Sequence, residues 1–187
     1  YPTARILDEQ SIDTLLVGDS AANVVLGYPD TLPVTMDEMI VITRAVTRAA
    51  RRAMVIGDMP FMSFNISRSR AIENAGRFIK EAGATAVKIE GGGHVVDTVA
   101  ALVDAGIPVV GHLGLTPQTA GMLGGYRVQG TKAAQARIIL DDARGQERLV
   151  AVFAEQRFDR RLVQQKLWTH SDRLSPGSFP AARVGLA

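Results

Sequence analysis

"VIGDMPFMSFN", residues 55–65, runs from an apolar stretch through Gly57 to a carboxylate, Asp58. A strand built for burial that ends on a charge needs a reason, and the pattern recurs. "LLVGDS" (15–20) reaches Asp19, "AVKIEGGG" (86–93) reaches Glu90, and "VVGHLGLTPQ" (109–118) reaches His112. The runs are continuously apolar rather than alternating, as parallel strands covered on both faces are. Helical stretches separate them. In "TMDEMIVITRAVTRAA" (35–50), Thr35 is an N-cap and Glu38 completes a capping box, with Met36, Met39, Ile40, Ala45 and Val46 at helical spacing. "SRAIENAGRFIKEAG" (69–83) is capped by Ser69 and closed by Gly83; "HVVDTVAALVDAG" (94–106) ends at Gly106; Thr131 caps "KAAQARIILDDAR" (132–144), which ends at Gly145. A long loop, "AANVVLGYPDTLPV" (21–34), follows the first strand.

Alternating strands and helices specify an α/β fold with parallel crossovers. A doubly wound sheet binds ligands beside one or two strands at a switch point. A TIM-type (β/α)8 barrel gathers all its strand ends around one mouth. Four successive strands each delivering a polar group favour the barrel. Such a barrel has eight strands and typically about 250 residues, whereas this chain has 187. The expectation is therefore an incomplete barrel over 1–145, followed by a divergent tail over 146–187. In the tail, one apolar run, Leu149 to Ala154, ends on Glu155, and a Ser-, Pro-, Gly- and Arg-rich segment follows Trp168.

Composition narrows the function. Hydrophobic residues make up 47% and charged residues 21%, as in a globular domain. The absence of cysteine excludes disulfides, zinc–thiolate sites and a cysteine nucleophile, and suits a cytoplasmic protein. The net charge of +2 is uneven: the tail holds seven Lys/Arg against four Asp/Glu, the rest fourteen against fifteen. The tail is sparse in aromatic stacking platforms, so it reads as a solvated segment and not a nucleic-acid face. No apolar run approaches the roughly 20 residues of a membrane helix, and no signal peptide is present.

At the mouth, Asp19, Asp58 and Glu90 would repel one another unless a cation lies between them, and all-oxygen ligation suits Mg²⁺. Ser20 is placed to hold a substrate carboxylate. Lys88 shares a strand face with Glu90 and, pointing inward, must pair with an acid or bind an anion. His112 is an acid/base candidate or a structural histidine. "EGGGH" lacks the spacing and the lysine of a phosphate loop, and its glycines are read as a tight turn. His94 and His170 are read as surface residues.

Together "LLVGDSAANVVLGYPDTLPVTMDEMI", "VIGDMPF", "AVKIEGG", "GIPVVGHLGLTPQ" and "LGGYRVQG" resemble the ketopantoate hydroxymethyltransferase (3-methyl-2-oxobutanoate hydroxymethyltransferase) family, from about Tyr1 to about Gly145. The resemblance implies a homodecameric β/α barrel of pantothenate synthesis that binds Mg²⁺ and takes its one-carbon unit from 5,10-methylenetetrahydrofolate. It implies Asp19, Asp58 and Glu90 as metal residues, and Asp19, Ser20, Asp58 and Lys88 as contacts to the 2-oxo acid. The implied reaction is an aldol-type addition through a metal-stabilised enolate. Two departures stand out. The family's opening strand lies before Tyr1, and its proton acceptor, a glutamate followed by a Val-Pro turn, is replaced here by Glu155 followed by "QRF". The change near Gly145 is read as a reading-frame slip or a truncated gene product. Two alternatives carry other outcomes: a non-catalytic remnant of the same family, or a related Mg²⁺-dependent lyase barrel of the isocitrate lyase and phosphoenolpyruvate mutase group, which shares "KIE"-type strand ends but lacks "GHLGLTPQ".

Overall fold

The computed structural model describes residues 1–121, 125–147 and 151–155, the last five as backbone. Five strands form one sheet in the order β1-β2-β3-β4-β5: β1 (Thr14–Val17), β2 (Met54–Asp58), β3 (Ala86–Glu90), β4 (Val109–Gly114) and β5 (Ala151–Glu155). Every neighbouring pair is parallel. Among the described residues the spatial order equals the chain order, without a reversal or a switch point. That is the arrangement of a β/α barrel, of which five strands are present here. The compact unit runs from Tyr1 through Glu155. The sequence reading starts the tail at 146, but the helix Ala133–Glu147 crosses that boundary and Ala151–Glu155 pairs with β4, so these residues belong to the compact unit. The rest of the tail reading, 156–187 with His170, lies outside the described residues.

Period-two alternation divides each strand between two environments. Leu15, Val17, Val55, Val87, Ile89 and Val109 face the helices and join one large core with Met39, Ala71, Phe78, Val99 and Leu102. Ile56, Ala86 and Val110 form a separate small cluster on the other face, with Met54 against it. That inner face carries an apolar floor, and Asp58, Lys88, Glu90 and His112 stand at or above its edge. At the outer strand the floor is uncovered: Leu16, opposite Ile56, is 52% exposed.

The covering helices are α3 (Met36–Thr47), α4 (Arg68–Lys80), α5 (Val96–Asp104) and α6 (Ala133–Glu147). The capping box of α3 forms as expected, with Thr35 Oγ1 accepting from the Glu38 N–H at 3.2 Å and Glu38 Oε2 accepting from the Thr35 N–H at 2.8 Å. The cap of α4 is Ser67 and not Ser69: the helix begins at Arg68, and Ser67 Oγ accepts from the Arg70 N–H. Gly83 turns the chain after α4 at φ +75°, a conformation that only glycine adopts readily. The α6 helix runs two residues past Gly145, to Glu147. The 21–34 loop includes one short helical turn, α2 (Ala21–Val24). The Phe78 ring packs against Gly57, where a Cβ would overlap it. Among the described residues no helix is long and apolar enough to cross a membrane.

Sequence reading did not anticipate α1 (Pro2–Glu9). Its Asp8 closes the turn that leads into β2: Oδ2 accepts from the Arg51 N–H at 3.0 Å, and Oδ1 from the Arg52 N–H at 3.0 Å and the Ala53 N–H at 2.8 Å. These bonds, led by the one from Ala53, hold the carboxyl below its ordinary pKa. A carboxylate with a depressed folded value stabilises above its unfolded pKa, and the contribution is lost as pH falls through the folded value. Asp8→Asn is therefore expected to melt below the parent at pH 7, with the gap closing as pH drops below the carboxylate range. Thermal unfolding from pH 7 to pH 3 measures this, and a pH-independent gap would count against the assignment.

Candidate active site

The strand ends converge on a buried polar cluster. Register makes this possible: Asp58 pairs with Lys88 across β2–β3, and Glu90 pairs with His112 across β3–β4. Asp19 follows β1 and folds back, its backbone N–H donating to Asp58 Oδ2 at 3.0 Å. Asp19, Asp58, Lys88, Glu90 and His112 are all buried. One ligand oxygen from each of Asp19, Asp58 and Glu90 lies within 4.8 Å of the others. The carboxylates singled out in the sequence are thus brought together.

Lys88 sits at the centre. Its ammonium lies 2.9 Å from Asp58 Oδ1 and 2.9 Å from Glu90 Oε1. The contact to Asp58 is a charge contact without hydrogen-bond alignment, since Asp58 Oδ1 has no hydrogen-bond partner among the described residues. Glu90 Oε1 also meets His112 Nδ1 at 3.0 Å, and His112 Nδ1 lies 3.4 Å from Lys88 Nζ.

Protonation follows from this crowding. Burial pushes Asp58 up to about 7, against the opposing pull of the Lys88 charge, with the neighbouring Asp19 charge adding to the rise. Burial also raises Asp19. For Glu90, burial works upward but is outweighed by the His112 hydrogen bond and the Lys88 charge, so its pKa falls. For Lys88, burial works downward but loses to Asp58 and Glu90, so it stays an ammonium. The two partners of the Lys88–Asp58 contact therefore both move up. One ammonium shared between two acids is held firmly, while Asp58, the more deeply buried of those acids, is left short of counter-charge.

With all three acids ionised, the three carboxylates and the one ammonium together carry two negative charges. A divalent cation cancels them, and a set made only of carboxylate oxygens is the donor chemistry a hard cation takes. Oxygens on opposite sides of Mg²⁺ stand about 4.1 Å apart. Carboxylate oxygens within 4.8 Å of one another are close enough to hold such an ion directly or through water after the side chains draw in. Asp58 Oδ1, which faces the Lys88 ammonium without an aligned hydrogen bond, keeps acceptor capacity for such an ion. The residues present fit a magnesium-like ion.

Other residues take defined places. Ser20 is exposed at the N-cap position of α2 and makes no side-chain cap bond. Its Oγ would lie 3.0 Å from a Cβ on Gly18, so Gly18 leaves it room. Glu155 ends β5 and pairs with Gly114, two positions beyond the His112 row. His94 is exposed, as read from the sequence.

Three residues of the surroundings were missed. Gln118, in a 3₁₀ turn after β4, is bonded to Asp19 and Glu90. Asp142 and Gln146, one turn apart on α6, grip the glycine run after Glu90. Asp142 Oδ1 accepts from the Gly93 N–H at 2.8 Å, and Gln146 Nε2 donates to Gly91 O at 2.7 Å. A Cβ on Gly92 would run into the Asp142 carboxylate. The glycines thus admit an internal carboxylate, and the turn reading holds over the phosphate-loop one.

The sequence model of ketopantoate hydroxymethyltransferase matches residues 1–153. The 3-methyl-2-oxobutanoate hydroxymethyltransferase of Thermoanaerobacter sp. (strain X514) is 58% identical over 144 residues, 77% of this chain and 53% of that protein. The one of Geobacillus kaustophilus (strain HTA426) is 51% identical over 152 residues, 81% and 54% respectively. The chain spans about half the length of these relatives. Among solved structures, 2,3-dimethylmalate lyase, a PEP mutase/isocitrate lyase superfamily member, matches with a TM-score of 0.55 over 87% of this chain and 57% of that one. At 19% identity that is a likeness of fold.

Removing the central cation should expose the electrostatics. Lys88→Met keeps most of the volume and leaves Asp58 and Glu90 uncompensated. It is expected to destabilise the fold by about 3–5 kcal/mol at neutral pH, read by urea denaturation. Part of that loss should return at pH 5, where the two carboxyls, now with raised pKa values, take up protons. An undiminished loss at pH 5 would assign the effect to packing.

Proposed function

The chain belongs to the ketopantoate hydroxymethyltransferase family, and from that premise we propose that its strand-end site serves transfer of a hydroxymethyl group from 5,10-methylenetetrahydrofolate to 3-methyl-2-oxobutanoate, giving 2-dehydropantoate. The observation that carries the proposal is the buried Asp19–Asp58–Glu90 set around Lys88, on consecutive strand ends of a chain from this family.

Asp19, Asp58 and Glu90 would hold the metal. When bound, Mg²⁺ supplies Lewis-acid polarisation of the substrate's keto oxygen. Lys88, a fixed ammonium, is placed to neutralise negative charge developing on that oxygen. Ser20, exposed beside Asp19, offers a hydroxyl to the substrate carboxylate. The proton at C3 passes to a base, for which Glu155 is the proposed group. His112, hydrogen-bonded to Glu90, is the second acid/base candidate. C3 then bonds to the methylene carbon. Both N–CH₂ bonds of the folate break, one replaced by the new C–C bond and one by the oxygen of a water. The two nitrogens take the C3 proton and the water's proton as tetrahydrofolate leaves.

The half-reaction isolates this site from the folate. In D₂O, the chain with Mg²⁺ is expected to exchange the C3 proton of 3-methyl-2-oxobutanoate for deuterium, followed by NMR. Asp58→Ala should abolish the exchange, and Glu155→Gln should slow it about 100-fold or more. Absence of exchange from folded parent chain would remove the catalytic reading and leave the remnant reading in its place. Parent-level exchange from Asp58→Ala would remove the site.

A further inference from the structure

We infer that Gln118 is a positioning residue whose side chain decides which carboxylate oxygen Asp19 presents to a divalent cation, its backbone N–H steadying Glu90 beside it. The inference rests on the metal reading above and deepens it by assigning the group that orients the ligands. Gln118 is buried, 5% exposed, one position after Pro117 in the turn that leaves β4. All three of its N–H bonds are committed. The carboxamide Nε2 donates to Asp19 Oδ2 at 2.9 Å and to Met59 O at 2.9 Å. The backbone N–H donates to Glu90 Oε2 at 3.1 Å.

Asp19 follows β1, Met59 follows β2 and Glu90 ends β3, so one residue beyond β4 ties four consecutive strand ends. The carboxamide occupies Asp19 Oδ2 and leaves Oδ1 as the oxygen to offer a cation, which is how outer groups orient metal ligands. Glu90, with Oε1 already engaged by Lys88 and His112, is held in place through Oε2 by the backbone N–H. Only a carboxamide fits. Glutamate has the same length but would set acceptors against Asp19 Oδ2 and Met59 O, and would add a fourth negative charge. A lysine would offer donors but would neutralise the charge the cation is to answer.

The test uses Mn²⁺, a paramagnetic stand-in for Mg²⁺, titrated into the full chain and read by electron paramagnetic resonance, with thermal melts alongside. The parent is expected to bind and Asp19→Ala to lose binding. Gln118→Met, folded by circular dichroism, is expected to bind about 10- to 100-fold more weakly. Gln118→Asn, which withdraws the carboxamide by one methylene, should fall between the parent and Gln118→Met, and serves in its place if that variant does not fold. A role in folding alone would lower the melting temperature and leave the Kd of the folded protein at the parent value, overturning the inference while the metal site stands. Parent-like binding by Asp19→Ala, or none by the parent, would overturn the metal reading and this inference with it.

Discussion

One ammonium group has to answer for three buried carboxylates. Lys88 reaches two of them, Asp58 and Glu90, and even so burial pushes Asp58 up to about 7. Everything around the strand ends reads as a response to that shortage. Backbone N–H groups are turned on the acids from Asp19 and Gln118, and the His112 ring is set against Glu90. Buried charge of this kind is a poor source of stability, because the desolvation of each ion offsets most of the attraction. The fold accordingly keeps its stability elsewhere, in the helix-facing core of Met39, Phe78, Val87, Ile89 and Leu102. The two faces of the sheet have separate duties.

The separation depends on a strict alternation that the sequence displays only in part. In β3, Val87 and Ile89 go to the core while Ala86, Lys88 and Glu90 face inward, yet every one of the five is buried. A fully buried strand shows no polar-apolar rhythm at its apolar end, so the charged residues at its far end are what reveal the inner face.

For that reason the strands, their direction and their carboxylates were legible, and so was the capping box at Thr35. All depend on neighbours within a few positions. The supports were not legible. Gln118 reaches Asp19 across 99 positions, Gln146 reaches Gly91 across 55, and Asp8 reaches Ala53 across 45. Nothing in the local pattern of a glutamine or an aspartate states such a partner; it exists only once the sheet has closed the distance. The misplaced cap of α4 has a smaller cause. Ser67 and Ser69 are equally good acceptors on paper, and the extended backbone at Ser67 decides between them. The glycines after Glu90 were read correctly as a turn, but their reason, room for the Asp142 carboxylate, lay in a helix fifty residues away.

The order of the strands has a consequence for how the chain comes to be folded. Paired strands are separated by only 22 to 41 positions, from Val87 with Val109 to Val110 with Ala151. Among the described residues no strand waits for a partner from a distant part of the chain. Each β/α unit can dock on its predecessor as it leaves the ribosome, since loop closure over such distances costs little and domains assemble from the N-terminal side during synthesis. The polar residues then arrive in sequence: Asp19 and Asp58 first, unneutralised, and Lys88 only with the third strand. Until β3 is laid down, the nascent sheet must carry those two acids in water or protonated, so the third unit is the step at which the growing edge first becomes electrically tolerable to bury.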